Sequence, residues 1–400
     1  MWLRIQNVLI ILCLFFSAYA SFASDAINSV ALYIVLPIAI VLSIWKNRGI
    51  ETNRYETILL FLFAWIFYSY LWADYTELAS RELHRCLGSI LLSLIFAINA
   101  SEKKMLPWLY LTFLILYLFA WIYANNNIEF ALYGTASADG RGLRMNDAKL
   151  NANTMAYYTF FASIIVFLFG EIFRERVLLK ISRYFFWLLF PLSFFTALVT
   201  ASREVLIIQI PLLTFMLYYR YWYRVESKYR FFLIIVLTVA FFALSGYVTT
   251  IYEDSFLAVR AKKNLTEDTR FFLIKNAIDV GLEYFPIGVG AGNYRMYSGD
   301  GHFSHSSYLE LFANQGIGGL FLFVLLLGLF IKNQLIRFKY TKDKRYVLFL
   351  AFGVVFALDN VFYVFYLDMW LISFFILVAT HSELYYRDNP VYIVFENKRK

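Results

Sequence analysis

Long apolar runs separated by short polar segments dominate the pattern of hydrophobic and polar positions along the chain. A transmembrane helix needs about 20 mostly apolar residues to cross roughly 30 Å of hydrocarbon. Runs of this kind lie near residues 5–22, 27–45, 57–72, 86–100, 105–124, 154–173, 181–201, 204–219, 231–250, 316–332, 346–360 and 363–380. The pattern therefore predicts an all-α, polytopic membrane bundle of about twelve transmembrane helices.

The amino-acid composition supports a membrane protein. Of the 400 residues, 61% are hydrophobic and 16% are charged, whereas soluble domains are roughly 45–50% apolar and about 25% charged. The two cysteines, Cys13 and Cys86, are too few for a disulfide framework or a cysteine-based metal site. The net charge of +8 is explained by where the basic residues fall, so no nucleic-acid partner is expected.

The basic residues predict the orientation of the helices. If the N-terminus is cytoplasmic, most of the 36 lysines and arginines fall in short cytoplasmic segments, as the positive-inside rule requires. We therefore expect a multi-pass protein of the bacterial inner membrane with both termini in the cytoplasm. Ala18–Ala20 also resembles a signal-peptide cleavage site. A first spanning helix is the favoured interpretation, and cleavage would leave eleven spans with no later loop reversed.

This topology divides the chain into three parts. Residues 1–250 hold the first nine helices and an outward loop at 125–153, residues 251–315 form a large periplasmic loop, and residues 316–400 hold the last three helices and a cytoplasmic tail. Because the longest polar loops face outward, we expect the functional site on that side of the membrane.

The large loop carries a helix signal of its own. Acidic residues at 267–268 suit a helix N-terminus, and Phe271, Ile274 and Ile278 follow at helical spacing and predict one apolar stripe. The glycine-rich segment 286–299 predicts turns. The loop should therefore contain at least one short amphipathic helix.

Two of the four histidines, His302 and His305, close the large loop. A histidine near neutral pKa can take a proton from a hydroxyl group, although a lone surface histidine more often has no role. Two histidines without an accompanying cysteine or aspartate are too few for a zinc site, and we expect no metal and no cofactor.

Several other ionisable residues occupy outward or intramembrane positions. An arginine can hold a phosphate through its planar fork of donors, but it can also extend to the headgroups or lie on a solvated helix face. Asp368 lies in the predicted last span, where a charge is a functional hypothesis by default. The remaining candidates are Arg141, Arg144, Asn151, Asn153, Arg203 and Arg270.

In residue type and order, these positions resemble the O-antigen ligase/polymerase superfamily, the membrane glycosyltransferases that build surface polysaccharide. Ser306 and Ala152 replace the usual Asn and Pro of the family motifs, and neither removes a proposed catalytic group. The resemblance rests on Arg141 and Arg144 followed by Leu150–Asn153 (LNAN), on Thr200–Arg203 (TASR), on Arg270 followed by Phe285–Asn293 (FPIGVGAGN), and on His305–Glu310 (HSSYLE) followed by Gly316–Gly319 (GIGG).

The resemblance implies a GT-C-like bundle and an inverting, metal-independent glycosyl transfer at the periplasmic face. It implies that Arg203 and Arg270 bind the diphosphate of an undecaprenyl-diphosphate-linked glycan donor and that His305 is the general base, with His302 as the second candidate. The remaining motif residues would bind donor or acceptor glycan: Arg141, Arg144, Asn151, Asn153 and Glu310.

Two branches of this family share the implied fold. A polymerase transfers a growing chain to a new lipid-linked repeat, and a ligase transfers the finished glycan to a lipid A-core sugar. The compact segment after His305 favours the polymerase, and a chain-length regulator is an open partner. The alternatives outside the family are a lipid-linked oligosaccharide flippase, which would need polar groups through the bundle, and a structural partner without chemistry.

Overall fold

The computed structural model of the protein describes residues 4–49, 53–127, 152–172, 269–299 and 301–388, with single positions at 196, 215 and 219. The described elements are helical. They fall into two compact units: one holds Met1–Ser17, Asp25–Thr112 and Thr269–Lys400, and the other holds Ala18–Ser24 and Phe113–Asp268. The candidate residues whose side chains are described lie in the first unit.

The described helices are numbered here in chain order. Helix α2 contains a π-helical turn at Ala31–Val35, and a 3-10 turn at Ser69–Trp72 extends α3. The helices are α1 (Ile5–Ala20), α2 (Asp25–Asn47), α3 (Arg54–Tyr68), α4 (Thr76–Ala100), α5 (Leu106–Asn127), α6 (Ala152–Ile172), α7 (Thr269–Glu283), α8 (Tyr294–Tyr297), α9 (Ser307–Thr341), α10 (Arg345–Asp359) and α11 (Met369–Asp388).

Among the described residues, five helices are long and apolar enough to cross a membrane: α2, α3 with its 3-10 turn, α4, α5 and α9. Helices α1 and α6 are shorter apolar helices. The structure therefore supports a helical membrane protein. Apart from the single positions 196, 215 and 219, the predicted spans near 181–201, 204–219 and 231–250 lie outside the described residues, so the total of twelve stays a prediction.

Aromatic side chains fill the core of the first unit, where α4 packs against α11 and α9 packs against α3 and α10. The ring of Phe356 stacks on that of Phe375 with centroids 4.7 Å apart, and Phe330 meets Phe375 edge-on at 5.2 Å. Offset and edge-on contacts of this kind stabilise a core beyond the apolar area that they bury. They fix the scaffold on which the site described below is built.

Helix α9 is broken at Gly316, which has φ 65° and ψ −157°. A Cβ atom at this position would lie 2.0 Å from the carbonyl oxygen of Pro286, so only glycine fits. The backbone N–H of Ile317, just after the break, donates to that same oxygen at 3.0 Å. The loop after α7 is thereby inserted against the broken helix.

Three carbonyl groups next to the break accept hydrogen bonds from outside the helix. Ala313 O accepts from the N–H of Val289 at 2.9 Å, Asn314 O accepts from the N–H of Gly290 at 2.8 Å, and Gln315 O accepts from the indole N–H of Trp65 at 2.9 Å. Irregular backbone at membrane depth is tolerated only where such groups are satisfied inside the protein. The glycine-rich loop and the break in α9 therefore form one hydrogen-bonded unit.

Helix α7 confirms the helix predicted in the large loop, and the structure adds which of its faces packs inward. The stripe that packs inward is Leu273, Ala277 and Val280, while Ile278 is 40% exposed. The physical reason is the partner: α7 packs on α9, and Phe312 of α9 closely approaches Gly281. The small residues therefore turn toward α9, and part of the larger apolar surface faces outward.

Asp368 was expected inside the last span, and the structure corrects this. It precedes α11, and its carboxylate accepts the backbone N–H groups of Trp370 and Leu371 at 3.0 and 3.1 Å. An aspartate in this position caps the helix N-terminus. The apolar run 363–380 thus contains a turn and a helix start.

Candidate functional site

A short loop segment between α8 and α9, His302–Ser306, is held by hydrogen bonds at its centre. The N–H of Ser304 donates to Oε2 of Glu310 at 2.7 Å, and the Ser304 hydroxyl lies 3.0 Å from the Ser306 carbonyl oxygen. Glu310 is fully buried, and its other oxygen is 3.3 Å from Nδ2 of Asn314. Glu310 therefore anchors the backbone between the two histidines.

His305 is one of three described non-glycine residues with a left-handed backbone, at φ 58°. This conformation is uncommon outside glycine, and it is enriched at functional sites where the surroundings hold it in place. Ser304 and Ser306 on either side of it are buried, whereas His305 itself is partly exposed. The turn thus presents the imidazole at the edge of a fixed backbone.

Two arginines from different elements meet at the ring of Phe303 in the same segment. The guanidinium carbon of Arg295, from α8, lies 3.3 Å from the ring centroid, and that of Arg85, from α4, lies 5.7 Å from it. Guanidinium groups bind aromatic faces by electrostatic attraction and stacking. Residues that are 210 positions apart in sequence are therefore brought together beside the histidine segment.

The charge on Arg295 is unfavourable in this environment. Burial and, secondly, the neighbouring positive charge of Arg85 lower the pKa of Arg295 from its usual value. Among the described residues, neither Arg85 nor Arg295 forms an ion pair within 4 Å of a carboxylate. An anion bound between them would offset both costs.

A cleft of about 70 Å³ opens beside these groups. Glu82 of α4 lines the cleft and is buried. One of its carboxylate oxygens accepts a hydrogen bond from Nε2 of Gln315 at 2.9 Å, and the other has no hydrogen-bond partner among the described residues. The residues around the cleft are Leu78, Arg81, Glu82, Arg85, Gly292, Arg295, Phe303 and Leu367. The cleft therefore combines guanidinium donors with a free carboxylate acceptor, which suits a substrate that carries both anionic and hydroxyl groups.

The glycine-rich loop is tied to the start of α4 and to α9, which fixes Arg295 in position. Oδ1 of Asn293 accepts the N–H of Tyr75 at 2.7 Å, and Oδ1 of Asn314 accepts the N–H of Tyr294 at 2.7 Å. Gly290 lies so close to the backbone of Ala73 that a Cβ atom on residue 290 would be 2.7 Å from the Cα atom of Ala73. These contacts set the distance between α8 and α4 and hence between the two arginines.

Of the residues predicted from the sequence, the structure places His302, His305 and Glu310 together in and around the His302–Ser306 segment. Arg270 and Asn153 lie in the first turns of α7 and α6, but their side chains lie outside the described residues. The other predicted positions, Arg141, Arg144, Asn151 and Arg203, also lie outside them.

Sequence reasoning missed Glu82, Arg85 and Arg295. A signal for one of them was available: Arg85 borders a predicted span on the side that the positive-inside rule leaves poor in cations, so it needed an explanation. Arg295 lies two residues after the motif Phe285–Asn293, but nothing in the sequence relates it to Arg85.

The fold and the site together define a class: a helical membrane protein that has a cationic cleft beside a histidine segment held by hydrogen bonds. The family model described as O-Antigen ligase (Wzy_C) matches residues 185–324. This match confirms the resemblance to the O-antigen ligase/polymerase superfamily, and it includes Arg295, His302, His305 and Glu310. No curated protein matches the chain.

Proposed function

We propose that the protein is a membrane glycosyltransferase that polymerises undecaprenyl-diphosphate-linked oligosaccharide repeats into a surface polysaccharide at the periplasmic face. The observation that carries the proposal is the position of His305, on a left-handed turn between buried serines and two residues from Phe303, on which Arg85 and Arg295 converge. A base and paired cations are the groups that this transfer needs.

In the proposed reaction, His305 takes the proton of an acceptor sugar hydroxyl. The hydroxyl oxygen then attacks the anomeric carbon of the donor glycan, the bond from that carbon to the diphosphate oxygen breaks, and undecaprenyl diphosphate leaves. Guanidinium groups stabilise the charge that develops on the leaving diphosphate. The attack opposite the leaving group inverts the anomeric configuration.

The cations fall into two groups in this proposal. The resemblance assigns Arg203 and Arg270 to the donor diphosphate. Arg85 and Arg295 line the cleft that includes Phe303 and are proposed to hold an anionic part of donor or acceptor there. Arg141, Arg144, Asn151 and Asn153 stay proposed glycan-binding residues on the resemblance alone.

The family description, O-Antigen ligase, favours transfer to a lipid A-core sugar as a second candidate function. Both reactions use the same base and the same diphosphate leaving group. They differ in the acceptor, so purified protein given only lipid-linked repeat units separates them. A ladder of longer products indicates the polymerase, and product that forms only after lipid A-core is added indicates the ligase.

The test of His305 compares it with its neighbour. We expect His305→Ala to lower polysaccharide formation by about 100-fold or more, the usual contribution of a general base, while His302→Ala, in the same segment, keeps most of the activity. Immunoblots of membrane fractions check that both variants insert. Wild-type chain lengths in His305→Ala would remove the assignment, and so would a topology map that puts Arg203 and His305 on opposite sides of the membrane.

A further inference from the structure

A second, larger cavity lies at the other end of α4. Its volume is about 730 Å³, which is within the range of small-molecule and cofactor sites. Ala97 and Ile98 of α4 line it, whereas Glu82 near the start of α4 lines the cleft that includes Arg295 and Phe303. At 1.5 Å per residue, these two positions on α4 are about 22 Å apart. The cavity is therefore separate from the candidate catalytic site.

The carboxylates of this cavity are already occupied. Glu56 accepts from the Thr380 hydroxyl at 2.7 Å and from the backbone N–H of Asn53 at 3.0 Å. Glu383 forms ion pairs with Arg337 and, at 3.6 Å, with Arg54. Neither carboxylate is left to neutralise a cation at the rim.

The rim cations are Arg48, which ends α2, and Arg387, in the last turn of α11. Both are exposed, and among the described residues neither forms an ion pair. Among the described residues that line the cavity, Arg48 and Arg387 are thus the cations without a carboxylate partner, because Glu56 and Glu383 are engaged by other groups.

The helix that leads to Arg48 has the surface of a lipid-facing helix. Val41 is 64% exposed, and Trp45, one turn before the cavity, is 70% exposed. Tryptophan is enriched at the boundary between hydrocarbon and headgroups, because its ring is apolar and its N–H is polar. The cavity therefore opens beside an apolar surface at headgroup level.

We infer that this cavity binds the anionic headgroup of a membrane phospholipid, with the phosphate between Arg48 and Arg387 and the acyl chains along the surface of Val41 and Trp45. Basic pockets between transmembrane helices recognise headgroups in this way. A lipid can also bury its acyl chains on the exposed apolar surface of the helix, whereas a free phosphate can interact only through its charge. The apolar surface beside the cavity therefore favours a lipid. By the predicted topology, the lipid belongs to the cytoplasmic leaflet.

The test uses the full-length protein in detergent and measures lipid binding by native mass spectrometry. Phosphatidylglycerol is titrated against phosphatidylcholine with the same acyl chains. We expect wild-type protein to prefer phosphatidylglycerol, and the double variant Arg48→Gln/Arg387→Gln to bind it roughly tenfold more weakly. Lys104→Gln/Lys332→Gln removes two exposed charges that do not line the cavity, and we expect its binding to change by less than about twofold.

Three results would overturn the inference: equal binding of the two lipids, an unchanged affinity in the arginine variant, or the same loss in the lysine variant. Displacement of the lipid by millimolar inorganic phosphate would show a small-anion site instead. The charge-preserving variant Arg48→Lys/Arg387→Lys is the control for misfolding. It changes the same two positions but keeps both charges, so it should retain the preference for phosphatidylglycerol. Activity at the His305 site is not a readout, so the outcome is independent of the proposed glycosyl transfer.

Discussion

The guanidinium group of Arg295 lies 3.3 Å from the centre of the Phe303 ring. Phe303 is two residues before His305, and Arg295 closely follows the glycine-rich loop that is inserted into the break of α9. This contact therefore connects three parts of the site: the histidine segment, the loop and α9. It also holds a cation without a carboxylate partner among the described residues beside a cleft.

Substitution of Arg295 should lower activity more than stability. We expect Arg295→Ala to slow glycan transfer by roughly 10–100-fold, because a charge-assisted hydrogen bond to the substrate is lost. The rate of Arg295→Lys should lie between those of wild type and Arg295→Ala, because lysine keeps the charge but cannot stack its side chain on the Phe303 ring as a planar guanidinium does. The rate of polymer elongation with purified protein measures both. Lys275→Ala is the control, since Lys275 is an exposed cation that does not line the cleft; an equal loss there would contradict a specific role for Arg295.

The side chain of Glu310 should matter for stability and activity mainly because it accepts a hydrogen bond, and less because it is negatively charged. In Glu310→Gln the side-chain oxygen can still accept the Ser304 N–H, whereas Glu310→Ala leaves that buried N–H unpaired, at a cost of about 1–3 kcal/mol. We therefore expect the alanine variant to lower both the melting temperature and the activity, and the glutamine variant to retain most of each. Equal inactivity of two well-folded variants would instead show that the carboxylate itself takes part in the reaction.

Gly316→Ala should destabilise the protein strongly. The new Cβ would meet the Pro286 carbonyl oxygen at 2.0 Å, and the residue has a positive φ, so we expect a loss of about 2–4 kcal/mol in the free energy of unfolding. Thermal unfolding in detergent measures it. Gly328→Ala, in the same helix, is the matched control: nothing lies within 4 Å of its Cβ position, and alanine favours a helix. Similar melting temperatures for the two variants would contradict the broken helix.

Glu102 should make stability depend on pH at the end of the bundle away from His305. Burial opposes its ionisation, but hydrogen bonds from Lys46 and Asn7 and the charge of Lys46 outweigh burial, and the pKa of Glu102 is lowered. A lowered folded-state pKa means stability that is present above the unfolded pKa, near 4.5, and lost as the pH falls through the folded value.

We therefore expect the melting temperature of wild-type protein to fall more steeply below about pH 4.5 than that of Glu102→Gln, and the two to differ most at neutral pH. Glu77→Gln is the control, because its ion pair with Arg81 is exposed and contributes little. Parallel pH profiles for wild type and Glu102→Gln would refute the stabilising role of this carboxylate.

How far the sequence predicts this molecule depends on the range of the interaction. Hydrophobic periodicity located α2, α4, α5 and the helix in the large loop, because length and apolar character are local properties. It did not specify which side of α7 packs inward, since the inward stripe depends on the close approach of Phe312 to Gly281.

The same distinction applies to the site. His305 and Glu310 lie in one short motif that the sequence displays directly. Arg85 and Arg295 become neighbours only because Asn293 and Gly290 hold the glycine-rich loop against the start of α4. No local pattern encodes that contact, and the motif residues at 141–153 and 203 stay predictions.

The break at Gly316 also has a consequence for where the reaction takes place relative to the lipid. The part of α9 that follows it runs to Thr341 and, at 1.5 Å per residue, is about 37 Å long, enough to cross roughly 30 Å of hydrocarbon by itself. The turn before it, with Glu310 and the histidine segment, is then not needed to span the bilayer. In the function proposed above, the break would thus leave the histidine segment outside the hydrocarbon, where the phosphates of a lipid-linked donor would emerge.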